Sequence, residues 1–582
     1  PKGVIVGSVQ SGMPEHTHQT CTEVKLPALT LENPQLWSCE SPQLYNAEVV
    51  VTADGMVVDS LTEQFGIRSL EFSPEFGFKL NGKKIFLQGN ANHHDLGALG
   101  ATCYDKAIER MMLQLKSFGY NCIRCSHNPY SDSFARIADR VGILVVDELT
   151  DKWSDNDYWG GRQPFTHIWH KLITEWIKRD RNRPSIILWS LGNELQIREG
   201  WAGFEGTNDW GITTYNIFNQ LVKRWDHTRL TTVAMFPARA GAITRHDKEF
   251  NDYLVPPELA CATEVASFNY QSDKYDAYLK YRPDLILFQS EAETSNLLQP
   301  YYNMDKERMV GIAYWGSVEY WGESNKWPKK GWNYSFFEHT MRPYPQAYLI
   351  KTAFMPEIPE VHIGVVDAAG AESVSWNDVI VGRMALNECW NHTPGSRRSL
   401  FTFTNAHSVE LLVNGQSMGI QKNDTTRANL RNMIYWKDVP YGNGGSVVAI
   451  ARDKSGKEVA RHRIETAGKA VALRIEAETP TDWKADGMDL QYINVTVIDK
   501  KGRPVWDYNE PLTLQMEGAA RLVALDNGDH YTDELFHGIT SKRMYQGRMQ
   551  IILRSDQEAG NVTVKISSAG LKGTLRLKTI KE

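Results

Sequence analysis

The 582-residue chain has few cysteines, no long apolar run and no marked surplus of either charge. Seven cysteines, an odd and sparse set, argue against the disulfide framework that staples small secreted domains, without settling the compartment. The 64 basic and 70 acidic residues are interspersed and leave a net charge of −6, so no basic field exists to bind nucleic acid or anionic lipid. No stretch approaches the roughly 18 apolar residues of a membrane span, and no charged-then-apolar signal segment is present. The first residue is Pro1, not Met, which implies that processing or truncation removed whatever preceded it. Aromatics, by contrast, are plentiful: 18 Trp and 24 Tyr, many beside Asn, Asp, Glu or His. A flat ring with a polar tip complements the apolar faces and rim hydroxyls of a sugar, and the Trp clusters in 153–210 and 314–333 mark those segments as a cleft.

The length suggests roughly three to five domains. Residues 1–75 read as strands with Pro and Gly punctuation, the later part of a sandwich. Over 76–355 short apolar runs alternate with helical stretches such as Asp105–Phe118 and Trp210–Trp225. The runs are Ile85–Gln88, Cys122–Cys125, Ile143–Val146, Ile186–Leu191, Leu230–Val233, Val265–Phe268, Leu285–Phe288 and Gly311–Trp315. Their number and spacing predict a (β/α)8 TIM barrel. Residues 356–468 and 469–582 read as two β-sandwiches, which makes the whole a multidomain barrel flanked by sandwiches.

Two glutamates follow such runs, Glu194 after the fourth and Glu291 after the seventh. Carboxylates at strand C-terminal ends of a barrel propose a glycosidase, which needs one acid for the leaving oxygen and one carboxylate at the anomeric carbon. Cys122-Ile-Arg-Cys125 spells a redox motif, but residues i and i+3 on a strand face opposite sides, so these thiols should not meet. Asp526-Asn-Gly-Asp529 lacks the spaced acids of a calcium loop and reads as a turn.

Ordered motifs carry a family resemblance. They are Phe78-Lys-Leu-Asn-Gly-Lys-Lys84, His93-His-Asp-Leu-Gly-Ala-Leu-Gly100, Ile123-Arg-Cys-Ser-His-Asn-Pro129, Val145-Val-Asp-Glu148, Arg179-Asp-Arg-Asn-Arg-Pro-Ser185, Ser190-Leu-Gly-Asn-Glu194 and Ser290-Glu291. Together they resemble glycoside hydrolase family 2, in its β-galactosidase-like branch. Pro34-Gln-Leu-Trp37 and Pro42-Gln-Leu-Tyr45 look like the immunoglobulin-like domain before that family's barrel, and the segments around 409–419 and 470–582 are similar to sandwiches after it. The family's usual N-terminal jelly roll has no counterpart in this sequence.

The resemblance implies roles. Glu194 matches the general acid/base and Glu291 the nucleophile of a retaining double displacement, with Glu293 two residues on as the alternative nucleophile. Asn193 matches the ligand of the sugar 2-hydroxyl, Tyr270 the tyrosine bonded to the nucleophile, and His94 and His127 sugar-hydroxyl ligands. Arg124 matches an arginine that orients the nucleophile, Asp147 and Glu148 residues that contact substrate or brace the site, and Trp315 the floor of the glycone subsite. The family's magnesium motif is missing from Asp147-Glu-Leu-Thr-Asp-Lys-Trp153, so no metal and no other cofactor is implied.

The resemblance further implies an exo-acting β-galactosidase taking non-reducing ends of oligosaccharides or polysaccharide fragments. A β-glucuronidase is the alternative, since Asn325, Lys326, Lys329 and Lys330 approach in composition the family's uronate-reading Asn-x-Lys. A non-catalytic carbohydrate-binding protein on the same scaffold is the alternative from a different class. The polar, aromatic loop Asp151–Trp159 and Lys152, Lys326 and Lys330 could read a substituent on the sugar. The implied partner is carbohydrate, with no nucleic acid and no membrane span; self-association is left open, and export to the periplasm or medium fits the family's habit.

Overall fold

The computed structural model describes residues 3–13, 24–153, 165–197, 200–201, 211–236, 255–295, 297–324, 326–367, 372–376 and 379–581. The polar loop beyond Trp153 and Asn325 therefore lie outside the described residues. Eight parallel strands close into the expected barrel: β1 Leu87–Asn92, β2 Cys122–Cys125, β3 Leu144–Glu148, β4 Ile186–Asn193, β5 Leu230–Met235, β6 Val265–Asn269, β7 Leu287–Ala292 and β8 Gly311–Trp315. Closure is between β8 and β1, with Gly311 opposite Leu87 and Trp315 opposite Ala91.

β1 and β7 begin and end later than their apolar runs suggest. The apolar residues mark only the lower part of each strand, because the upper lumen is filled by polar side chains. Strand alternation sorts the rest. On β2 and β3, Cys122, Leu144 and Val146 join the apolar plug inside the barrel, while Ile123, Cys125 and Val145 pack outward against the helices. Cys122 and Cys125 thus sit in different clusters and both are free thiols.

Around the barrel lie α1 Asp105–Ser117, α2 Asp132–Val141, α3 Phe165–Asp180, α4 Ile212–Trp225, α5 Glu258–Ala262, α6 Tyr275–Tyr281, α7 Leu298–Asn303 and α8 Ala347–Phe354. α2 shows how local sequence sets them. Ser131 caps its start by accepting from the Phe134 amide, Gly142 ends it in the left-handed region, and Phe134, Ala135, Ile137, Ala138 and Val141 bury one face. No described helix is long and apolar enough to cross a membrane.

Ahead of the barrel, Tyr45–Ala53 and Met56–Phe65 form a two-stranded antiparallel hairpin. It stands where a sandwich is expected, and its side chains are largely exposed. The buried Trp37 ties this region to the barrel, its indole donating to the Asp139 carbonyl at 2.8 Å. After the barrel come two sandwiches. In the first, the sheet containing Val361–Val366 and Arg397–Thr404 faces the sheet containing Ser408–Val413 and Ser446–Arg452, over a core with Trp390, Leu400 and Leu411. In the second, Leu490–Asp499 and Asn561–Ser568 belong to opposite sheets around Trp483, Ile493, Leu525 and Val564.

The last sandwich also packs on the barrel's upper rim. Ala98 and Leu99, in the loop after β1, are buried against Leu490, Tyr492, Ala524 and Ile552. The apolar half of the His-His-Asp-Leu-Gly-Ala-Leu-Gly motif is thus a domain seam.

Candidate active site

Arg124 is the centre of the polar lumen. It points inward from β2 with no solvent exposure. Its Nε and Nη2 donate to Glu148 Oε2 at 3.0 and 2.7 Å, its Nη1 to Glu291 Oε1 at 2.7 Å, and its Nη2 also to Asn193 Oδ1 at 3.0 Å. Burial alone would pull the guanidinium down, but the fields of Glu148 and Glu291 outweigh it and hold it charged. Burial likewise pushes the Glu148 carboxyl up, and Arg124 and His127 reverse the direction.

Glu291 is braced on both oxygens: Oε1 by Arg124, Oε2 by the Tyr270 hydroxyl at 2.8 Å. Burial, then the Glu291 charge, push the Tyr270 hydroxyl well above its ordinary range, so it stays a donor. Glu194 directly follows β4 and is 3 % exposed; its Oε1 accepts from Asn269 Nδ2 at 3.0 Å, and the same amide also donates to Asn193. Glu194 and Tyr270 both take positive φ, 42° and 58°, a conformation costly to a residue with a Cβ and found where a site over-determines the backbone.

Asn193 joins these groups. Its Oδ1 accepts from Arg124 and from Asn269, and its Nδ2 lies 3.1 Å from Asp151 Oδ1 and 3.2 Å from His127 Nε2. The amide's orientation follows from these partners, and His127 Nδ1 lies 2.6 Å from Glu148 Oε1. Lys152 Nζ bonds Asp151 at 2.6 Å and the Asn193 carbonyl at 3.0 Å. Burial pushes Asp151 up, but His127 and Lys152 outweigh it and hold the carboxyl at about 2.

One wall is aromatic. Trp315 stacks on His127 with rings 5.2 Å apart and 5° from parallel, and meets His93 edge-on at 5.1 Å and Tyr320 at 5.9 Å. The Tyr320 hydroxyl donates to Glu323, and His93 Nε2 lies 3.8 Å from the same carboxylate.

Eight of the ten residues expected at the site converge here: Glu194, Glu291, Arg124, His127, Asn193, Tyr270, Trp315 and Glu148. His94 and Asp147 do not. His94 stacks on Tyr130 at 4.7 Å, toward α2, and it is its neighbour His93 that faces the wall. Asp147 follows Val146 and precedes Glu148 on β3, so it points outward, where the Trp176 indole donates to it at 2.6 Å. Burial, then the Asp180 charge, raise Asp147 well above the carboxylate range.

This yields a paired prediction. Glu148→Gln should lower kcat/KM on the working substrate by roughly 10²-fold through misplacement of Arg124 and His127, whereas Asp147→Asn should leave it within about threefold. The second variant has a stability signature. A raised folded pKa means the native state keeps a proton the unfolded chain releases above about pH 4, so Asp147 makes stability fall as pH rises. Asp147→Asn should flatten that fall, visible as melting at pH 5 against pH 8; an unchanged slope would reject the raised carboxyl.

Sequence reasoning missed Asn269, Glu323 and Tyr320 as parts of the site, and named Asp151 only within a loop that could read a substituent. Asn269 stands beside Tyr270 in Ser-Phe-Asn-Tyr, which was the available signal. Among the described residues two groups bring three ligand atoms within 4.8 Å of one another, as a metal would need: Glu319, His339 and His530, and His362, Glu388 and His462. Neither group includes Glu194, Glu291 or their hydrogen-bond partners, and the first has His339 already in contact with carboxylates through both nitrogens.

Comparison with known proteins decides the family. The model for the glycosyl hydrolases family 2 TIM barrel domain matches residues 75–306, that for glycosyl hydrolases family 2 residues 2–68, and that for glycoside hydrolase family 2 C-terminal domain 5 residues 473–575. A crystal structure of a glycosyl hydrolase family 2 member from Bacteroides cellulosilyticus is 30% identical, covering 94% of this chain and 69% of that one, with a TM-score of 0.79. The chain belongs to glycoside hydrolase family 2. Within it, β-galactosidase BoGH2A of Bacteroides ovatus is 27% identical over 94% of this chain and 67% of its own length. A Formosa agariphila protein named "Putative beta-glucuronidase" is 42% identical over 97% of this chain, which spans only 55% of that relative. A domain of unknown function (DUF4982) matches 395–460 in the family 2 chain.

Proposed function

We propose that this family 2 chain is a retaining exo-β-glycosidase, with Glu291 the nucleophile, Glu194 the acid/base and β-galactosides the substrates. The observation that carries the reading is one hydrogen-bonded network that braces Glu291 through Arg124 and Tyr270 and reaches Glu194 through Asn193 and Asn269. Glu194 gives its proton to the leaving oxygen while Glu291 attacks the anomeric carbon, forming a glycosyl ester. Glu194, now a base, takes a proton from water, which attacks the same carbon and expels Glu291. Arg124 and Tyr270 orient Glu291 for attack and support the charge it regains on leaving. Asn193 would meet the sugar 2-hydroxyl by exchanging one of its present partners, and Trp315 would stack on the ring's apolar face.

A neutral sugar suits the surroundings. Glu148, Asp151 and Glu323 line the centre, and Arg124 and Lys152 already serve carboxylates there. A glucuronidase is favoured instead by the name of the 42% identical relative and by Lys329, whose ammonium sits 4.1 Å over the Tyr334 ring near the wall.

Turnover of aryl β-galactoside and aryl β-glucuronide separates these readings. We expect the galactoside to lead in kcat/KM by roughly 10²-fold or more, the discrimination hydrogen-bonding sites achieve. NMR of the first-formed product should show the β-anomer. A lead for the glucuronide installs the second reading, an α-anomer ends the retaining mechanism, and no turnover on a broad panel leaves a carbohydrate-binding protein.

A further inference from the structure

We propose that the C-terminal sandwich is a working part of the active site, with Asp526 and His530 as positioning residues for the Tyr320 wall. The inference rests on the glycosidase reading above for its kinetic consequence, and on the geometry of the segment after β8 for its cause.

After β8 and the turn at Gly316, Tyr320–Trp321 forms a short strand paired with Gly331–Trp332, and Glu319 immediately precedes it. Extended backbone sends successive side chains to opposite sides. Tyr320 goes one way, 5.0 Å from His93 and in contact with Trp315 and Glu323. Glu319 and Trp321 go the other way, into the seam with the sandwich.

Both are clamped there. Glu319 Oε2 lies 3.0 Å from His339 Nδ1 and 3.2 Å from His530 Nδ1, and its Oε1 accepts from the Tyr344 hydroxyl at 2.7 Å. His339 Nε2 meets Asp526 Oδ1 at 2.9 Å. A chain of carboxylate, imidazole and carboxylate therefore runs from the segment after β8 into the sandwich, with all its members buried. The Trp321 ring packs on His339 at 4.6 Å, His530 at 4.9 Å and Phe536 at 5.4 Å, while its indole donates to the Gly97 carbonyl at 2.6 Å. The paired strand is tied in too, the Lys330 amide donating to the His530 carbonyl at 3.2 Å.

Burial would strip His339 of its charge, but the flanking carboxylates reverse this and raise it well above the ordinary histidine range. A buried ionic chain is strongly disrupted when one partner is lost, because the others remain unpaired. Tyr320, held between two clamped neighbours, inherits its place from that chain. The sandwich would act on the sugar through the glycone wall without touching it.

The test uses the full chain carrying Asp526→Asn, His530→Gln, Tyr320→Phe, the pair Asp526→Asn with Tyr320→Phe, and a control, Val564→Ala, in the sandwich core away from the seam. On the aryl glycoside that the wild type prefers, Asp526→Asn and His530→Gln should lower kcat/KM by roughly 10- to 10²-fold, the scale of a small misplacement. Val564→Ala, at a comparable loss of melting temperature, should leave it within about twofold. The double variant should fall little below the worse single variant, since both changes act through one wall.

Hydrogen exchange of the peptide 316–324 is read in the same proteins, independent of turnover. Lost protection in His530→Gln or Asp526→Asn but not in Val564→Ala supports the inference. Wild-type protection with wild-type kcat/KM in both seam variants overturns it, as do strictly additive effects with Tyr320→Phe. Absence of turnover in the wild type itself counts against the glycosidase reading alone, and the exchange data then decide the seam.

Discussion

Glu291→Ala is expected to lower kcat on an aryl β-galactoside by at least ~10⁴-fold, the scale on which losing a nucleophile acts. Glu194→Ala should cost less and unevenly. General acid catalysis contributes about 10²–10⁴-fold, and a leaving group that departs readily, such as dinitrophenolate, needs little of it. The two variants are therefore separable: azide should rescue both, giving the inverted glycosyl azide with Glu291→Ala and the retained one with Glu194→Ala. Glu293→Ala is the internal control. It lies beyond the end of β7, partly exposed, and burial raises its carboxyl above the ordinary range. Activity surviving in Glu291→Ala and vanishing in Glu293→Ala would transfer the nucleophile's role.

Arg124→Met should be the most destabilising single change in the barrel. The guanidinium is buried with Glu148 and Glu291 on either side at 2.7 Å each, so its removal leaves two carboxylates facing each other without a cation. Loss of one partner from a buried ionic group costs about 3–5 kcal/mol. For a domain of this size that amounts to on the order of 10 °C in the barrel's calorimetric transition. Lysine should not restore it, because one ammonium cannot span Glu148, Glu291 and Asn193 as the planar fork does. Adding Glu148→Gln to Arg124→Met should recover part of the loss, a non-additivity diagnostic of shared charge. An unmoved transition in Arg124→Met would refute the central role given to this side chain.

Much of the fold was legible because a parallel barrel writes itself as apolar runs buried on both faces. The two glutamates were legible for the same reason: each stands just where such a run gives way to polar residues. Choices between neighbours were not. His93 against His94, and Glu148 against Asp147, turn on which way the chain leaves a strand, a phase that period-two alternation leaves undetermined until the partner strands are in place. Asp526-Asn-Gly-Asp529 reads locally as a turn, and a turn it is, with the Gly528 amide donating to Asp526 at 3.0 Å. Its second use, as the partner of His339 across a domain seam, leaves no local trace in the sequence.

The sequence by itself determined the barrel, its family, the strands that carry Glu194 and Glu291, and most of the residue types around them, because burial pattern and motif order are properties of neighbours along the chain. Only the tertiary structure decided that Arg124 is the hub joining Glu148, Glu291 and Asn193, that Asp147 and His94 face away, and that the last sandwich holds the segment after β8. Those facts depend on side chains far apart in sequence meeting in a water-poor interior, where a charge must find its partner or go unpaired.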